Sequence, residues 1–233
     1  MSKTDFLTTY LSVVGVQMPA TLLFAETEQG DHQSNVEDQQ KASPDTICSF
    51  NSLTELSKHI EDCQHCDLAE NRHQLIFGSG NDQADLVLIG EAPNPNEEQQ
   101  GIPFVDDTGE LFASILKSIG LQREQVYVLN IVKCQPLNHR DPTHGELEAC
   151  RNWLDMQLDL IQPKVICLLG RVAAQGLLKC DTSLRELRDQ WFTYKGVPTY
   201  VSYHPTYLLR SPRQKRESWK DFQAIQQKLE ALD

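Results

Sequence analysis

Hydrophobic positions along this chain follow two periods. Four unbroken apolar runs, Leu86-Val-Leu-Ile89, Val126-Tyr-Val-Leu129, Val165-Ile-Cys-Leu-Leu169 and Val197 to Val201, have strand length and no polar alternation. Such runs suit strands buried on both faces. Between them apolar residues recur at helical spacing over Leu111 to Ile119, Glu146 to Ile161 and Val172 to Leu178. The alternation predicts an α/β fold, a three-layer α/β/α sandwich with a central, mainly parallel four-stranded sheet. Ahead of it, Ser52-x-x-Glu55 is a capping box that opens a short helix ending near Cys63. Ser211-Pro212 offers a cap and a first-turn proline to a closing helix, with Trp219, Phe222, Ile225, Leu229 and Leu232 on one core-packed face.

The chain before this body differs in kind. Leu7, Tyr10, Leu11 and Val14 fall at helical spacing, and Glu26 to Asp45 is nearly free of aliphatic residues. A short amphipathic helix followed by an acidic disordered linker is expected over 1–51, and a single catalytic domain over 52–233. The helix is either a frayed terminus or a docking peptide for a partner. The apolar stretch Tyr10 to Val16 follows Asp5 and runs into Gln17 and Pro19, unlike an export signal, and no later run reaches membrane-spanning length. A cytoplasmic protein with no membrane contact is the expectation.

Seven cysteines without an export signal argue against a disulfide framework and leave metal ligation or core thiols. The formal charge of −12 excludes a protein that grips nucleic acid over its whole surface. Residues 1–51 hold two of the 21 basic and seven of the 33 acidic residues, leaving the body 19 against 26. One segment reverses the sign: between His204 and Lys220 stand Arg210, Arg213, Lys215, Arg216 and Lys220 against Glu217. It is the candidate phosphate-facing surface, although a solvated basic turn would look the same.

In open α/β sheets ligands bind beyond the carboxyl ends of the strands. The residues just after the four runs are polar: Gly90-Glu91-Ala92-Pro93, Asn130, Gly170-Arg171 and Ser202-Tyr203-His204-Pro205. A carboxylate, an amide, a helix start and an imidazole are therefore expected on one rim.

The segment from Gly90-Glu-Ala-Pro-Asn-Pro-Asn-Glu to Ile-Pro-Phe-Val-Asp-Asp-Thr-Gly109 resembles the first motif of the family 4, iron-sulfur, uracil-DNA glycosylases. Leu129-Asn-Ile-Val-Lys-Cys134, Asn138-x-Arg140-x-Pro142 and His204-Pro-Thr-Tyr-Leu-Leu-Arg210 match later motifs in order and spacing. The resemblance runs from about Ser52 to the C-terminus. It implies that Cys63, Cys66, Cys134 and Cys150 hold a 4Fe-4S cluster, where spacing alone leaves a tetrathiolate zinc site equally open. Cys48, Cys167 and Cys180 are left as free or core thiols.

The activity implied is release of uracil from single- or double-stranded DNA by a monomer, after extrusion of the nucleotide into a pocket. Phe104 would stack on the base, Asn130 would read its edge, and His204 would stabilise the leaving uracil anion. Glu91 and Glu97 would position water, counter the sugar cation or shape the wall near uracil C5. Leu208 and Leu209 would wedge into the base stack, with Arg210 and Arg213 on phosphates. The chain departs from the family where Asn94 and Asp106 replace glycines, where Asp107 and Thr108 follow, and where Gln135 and Leu137 replace Arg and Pro. Two carboxylates at the mouth would weaken DNA affinity. Competing readings are a non-catalytic paralogue that binds DNA or a repair or replication protein, and a glycosylase for other deaminated bases.

Overall fold

All four apolar runs form strands, and they sit side by side. The computed structural model describes residues 50–232. The expected N-terminal helix, the acidic linker and Cys48 lie outside the described residues. The central strands are β2 (Leu86–Gly90), β3 (Tyr127–Asn130), β4 (Val165–Leu169) and β6 (Val197–Ser202). Parallel ladders pair Leu88 with Val128, Leu88 with Cys167 and Cys167 with Tyr200. Two short strands extend the sheet to six in the order β1-β3-β2-β4-β6-β5: β1 (Ser79–Gly80) and β5 (Trp191–Tyr194), both antiparallel. The hairpin from β5 to β6 turns at Lys195 and Gly196, both with positive φ, as tight hairpins require.

Alternate residues of each central strand face opposite cores. Val87, Ile89, Leu129, Ile166, Leu168 and Val201 pack against α4 (His144–Ile161) and α5 (Arg171–Leu178). Leu86, Leu88, Val128, Val165, Cys167 and Tyr200 pack against α3 (Asp106–Ser118) and the closing helix α8 (Lys215–Glu230). This double burial gives the three layers. A smaller cluster joins α1 (Leu53–Ile60) to α4 through Leu56, Ile60, Leu68, Val132 and Trp153. Ser52 caps α1, its Oγ accepting from the Glu55 N–H at 3.2 Å. Three short helices are added: α2 (Pro95–Gln100), α6 (Leu184–Leu187) and α7 (Pro205–Arg210).

The closing helix corrects the expectation. Ser211-Pro212 opens a separate 3₁₀ turn, Pro212–Gln214, before α8. Phe222 and Ile225 are buried, but Trp219 is 48% exposed, Leu232 43%, and the inward face also carries Ser218 and Asp221. The helix is rotated so that the Asp221 carboxylate receives Arg188 Nε at 3.0 Å, Arg188 Nη2 at 2.8 Å and Ser202 Oγ at 2.7 Å. A buried charge needs such partners, and they outrank an indole that tolerates exposure.

Candidate active site

The carboxyl ends of β2, β3, β4 and β6 deliver Glu91, Asn130, Gly170 and His204 to one place. A pocket of about 710 Å³ opens there, with Glu91, Asn94, Glu97, Gly170 and His204 on its wall. Phe104 and Asn130 lie one layer deeper, 3% and 1% exposed. Gly90 shows how tight that layer is: a Cβ there would lie 2.3 Å from Asn130 Oδ1 and 2.9 Å from the Phe104 ring. Gly170 does the same on the other side, where a Cβ would lie 2.5 Å from Glu91 Oε1 and 3.1 Å from His204 Cβ. The Phe104 and His204 rings meet edge to face at 5.1 Å. Acid, ring, amide and imidazole thus converge, although 113 positions of sequence separate Glu91 from His204.

Neither Asn130 Oδ1 nor Nδ2 has a hydrogen-bond partner among the described residues. Buried amides are normally satisfied, and each unmade bond costs about 1–3 kcal/mol. An acceptor and a donor held side by side form a reading head for a planar group with the complementary pair.

His204 caps α7: its Nδ1 accepts from the Thr206 N–H at 3.2 Å. In the neutral ring that places the proton on Nε2. Burial, helped by the positive charge of Arg210, pushes its pKa down to about 4. The imidazole is therefore a neutral hydrogen-bond donor at physiological pH.

The two glutamates differ. Glu91 Oε1 accepts from the Val172 N–H at 3.0 Å at the start of α5, and burial raises its pKa. Glu91 also lines the pocket. Glu97 has both oxygens engaged, Oε2 by the Asn94 N–H at 2.8 Å and Oε1 by the Phe104 N–H at 2.6 Å. It holds Phe104 in a left-handed conformation, φ 57°, that costs a non-glycine residue about 1–3 kcal/mol. Arg123 secures the same turn by donating to the Pro103 carbonyl. Asn94 in place of glycine needs no left-handed backbone: its φ is −98°, and its Oδ1 accepts from the Asn96 and Glu97 N–H groups in a capping box. Asp106 does take a glycine's conformation, φ 54°, which Asp tolerates better than most residues, and accepts from Asn96 Nδ2 at 2.6 Å.

Cys63, Cys66, Cys134 and Cys150 line a separate, small pocket with Arg72 and Lys133. Arg72 Nη1 donates to Cys134 Sγ at 3.2 Å. Burial raises the thiol pKa of Cys66, of Cys134, and of Cys150 to about 12, outweighing the opposing pull of Arg72 on Cys134 and of Lys133 on Cys150. Among the described residues no three His, Cys, Asp or Glu side chains converge as ligands of one ion. Lys133, 1% exposed, donates from Nζ to the Asn130 carbonyl at 2.9 Å and ties this loop to the end of β3. Cys167 is fully buried and Cys180 half-buried, away from this pocket.

The expected DNA contacts divide. Leu208 is fully buried, so it cannot enter a base stack; its side of the short α7 is the one that packs inward with Pro205. Leu209 is 38% exposed, beside Asp106 and Asp107 in a shallow acidic groove. Arg210 lines the main pocket, whereas Arg213 is exposed outside its lining. Arg140, Arg171, Arg185 and Tyr207 also line it and were not singled out as contacts by sequence, which offers only their position within or after matched motifs. Arg140 is committed to Glu146, at 2.8 and 2.6 Å, and Arg171 to Asp141 at 2.5 Å.

Residues 77–228 match the model of the uracil DNA glycosylase superfamily. The chain is 38% identical over 182 residues to the type-4 uracil-DNA glycosylase of Archaeoglobus fulgidus, covering 75% of this chain and 92% of that protein. It is 38% identical over 161 residues to the type-4 uracil-DNA glycosylase of Thermotoga maritima, covering 67% and 82%. A type-5 uracil-DNA glycosylase of Thermus thermophilus matches at 31% over 118 residues, 44% of this chain and 53% of that protein.

Proposed function

The chain belongs to the uracil DNA glycosylase superfamily, and from that premise we propose that its pocket hydrolyses the N-glycosidic bond of uracil in DNA in the course of repair. The observation that carries this reading is the unsatisfied amide of Asn130, which shares the close surroundings of Gly90 with the Phe104 ring that meets His204. Uracil presents an N3-H donor next to an O4 acceptor, which Oδ1 and Nδ2 of Asn130 complement, while the N4 amine of cytosine would oppose Nδ2.

The extruded base stacks against Phe104, held for it by Glu97 and Arg123. As the bond breaks, charge collects on uracil O2, and the Nε2-H of neutral His204 donates to it. A neutral donor avoids the desolvation cost of a buried imidazolium, and one positioned donor contributes about 3–4 kcal/mol. Glu91, fixed through one oxygen by Val172, turns the other toward the sugar, where it orients water and offsets the developing cation. Glu97 is a positioning residue in this scheme. The protein works as a cytoplasmic monomer on single- or double-stranded DNA, with residues 1–51 available to a repair or replication partner.

Cys63, Cys66, Cys134 and Cys150 are the residues to hold a 4Fe-4S cluster. Four thiols around one small pocket, with Arg72 and Lys133 to balance negative charge, fit that group. When bound, the cluster supplies a cross-link rather than a reaction step, tying the segment after α1 to the loop that follows Asn130. Cys134→Ser is expected to abolish visible absorption and to cut bound iron, assayed on protein purified without oxygen. Stoichiometric zinc in the parent would contradict the assignment.

The acidic groove gives a further expected result. Replacing Asp106 and Asp107 together by asparagine should tighten binding to uracil-containing DNA about fivefold at low salt, from two repulsions of up to about 1 kcal/mol each, and lose the gain at high salt. Fluorescence anisotropy at two salt concentrations checks this, and equal affinities would place DNA elsewhere. The test of the function as a whole is release of uracil from labelled oligonucleotides, with hypoxanthine and xanthine substrates to bound the base range.

A further inference from the structure

We propose that Tyr207 is a stacking subsite for the base adjacent to the one excised, and that it takes this base from single-stranded DNA. The inference rests on the function proposed for the neighbouring pocket. That pocket continues from His204 past Tyr203 and Tyr207 to Arg185 and Arg210, far beyond the room one pyrimidine needs.

The two tyrosine rings are stacked, centroids 5.2 Å apart and planes 25° from parallel. Behind them the Arg188 guanidinium lies 4.1 Å from the Tyr203 ring centre. Arg188 is itself fixed in the interior by its two hydrogen bonds to Asp221. A continuous series of contacts thus runs from a buried ion pair to a ring that is 39% exposed on the pocket wall. Such backing removes the rotamer freedom that a lone surface tyrosine would lose on binding. The helix α7 sets Tyr207 one turn beyond the His204 donor, its N–H bonded to the His204 carbonyl at 2.9 Å. The platform therefore follows the His204 donor directly along the wall of one pocket.

Every base has a face to stack, so such a platform reads no sequence. It does discriminate between strands: a neighbour in a duplex is already stacked and paired, whereas a single strand can lend its base at little cost. Arg185 and Arg210 are in no ion pair among the described residues, which leaves their charges to the flanking phosphates.

The test is binding of the full chain, its Tyr207→Ala and its Tyr207→Phe variants to a fluorescent thymine oligonucleotide carrying one tetrahydrofuran abasic analogue, as single strand and as duplex. Y207A should weaken single-strand binding about tenfold and duplex binding clearly less, while Y207F stays within about twofold of the parent. Unchanged single-strand affinity in Y207A, equal weakening of both forms, or a Y207F loss as large as that of Y207A would overturn the subsite. Uracil release by the parent is assayed alongside. A parent that releases no uracil, with Y207A still selectively impaired on single strands, would sink the catalytic reading and leave the subsite standing.

Discussion

Replacing His204 with alanine is expected to slow single-turnover release of uracil by about 10²–10³-fold, the range found for loss of one positioned donor to a developing anion. The fold should survive, because what disappears structurally is a cap to a six-residue helix and an edge-to-face contact with Phe104, about 1 kcal/mol each. His204→Gln, which restores a neutral N–H donor, should recover part of the rate. The pH dependence gives an independent handle. With the folded-state pKa at about 4 and the ordinary value at 6.5, the native protein keeps the ring neutral where the unfolded chain protonates it. The unfolded state therefore binds more protons between those limits, and stability is lost as pH falls from about 6.5 toward 4. Over pH 6 to 8 excision should show no inflection from His204. A rate that rises on acidification through pH 6.5 would mean that an imidazolium does the work.

Asn130 carries the second large effect, and its sign differs between two measurements. Asn130→Leu keeps the shape but removes two hydrogen bonds to the base, each worth about 1–2 kcal/mol, so uracil release should fall about 10²-fold or more. The same change removes a buried amide that has no partner among the described residues. The melting temperature should therefore rise, by about 2–4 °C for each kcal/mol gained in a chain of this size. Opposite movement of activity and stability marks a residue kept for its ligand rather than for the fold. If N130L melted lower than the parent, the amide would be holding the structure together through a partner, and it could not be the reading head.

How much of this was legible depended on how local the cause was. The central strands announced themselves because burial on both faces forbids polar alternation, and Glu91, Asn130 and His204 followed from the places where those runs stop. The edge strand Trp191–Tyr194 alternates between exposed and half-buried positions and could have been found from its Lys195-Gly196 turn. Other features are tertiary. Nothing in Leu208-Leu209 says which leucine faces inward, since one short helix can be rolled either way until it packs. Arg188 and Asp221 are 33 positions apart, and only their meeting turns Trp219 outward. Lys133 stands in an apolar run, and its burial makes sense only with the Asn130 carbonyl and the thiol pocket in place. The role of Glu97 is tertiary for the same reason: sequence shows an acid in a motif, and the fold engages both its oxygens on the backbone around Phe104.

One measurement bears most directly on the whole. Protein purified without oxygen is incubated with a labelled single-stranded oligonucleotide carrying one uracil, then treated with alkali, alongside His204→Ala and a thymine control. The parent should yield a strand break at the uracil alone, with the variant about 10²–10³-fold slower. An intact uracil strand with the parent, or equal cleavage by parent and variant, would contradict the claim that this pocket excises uracil.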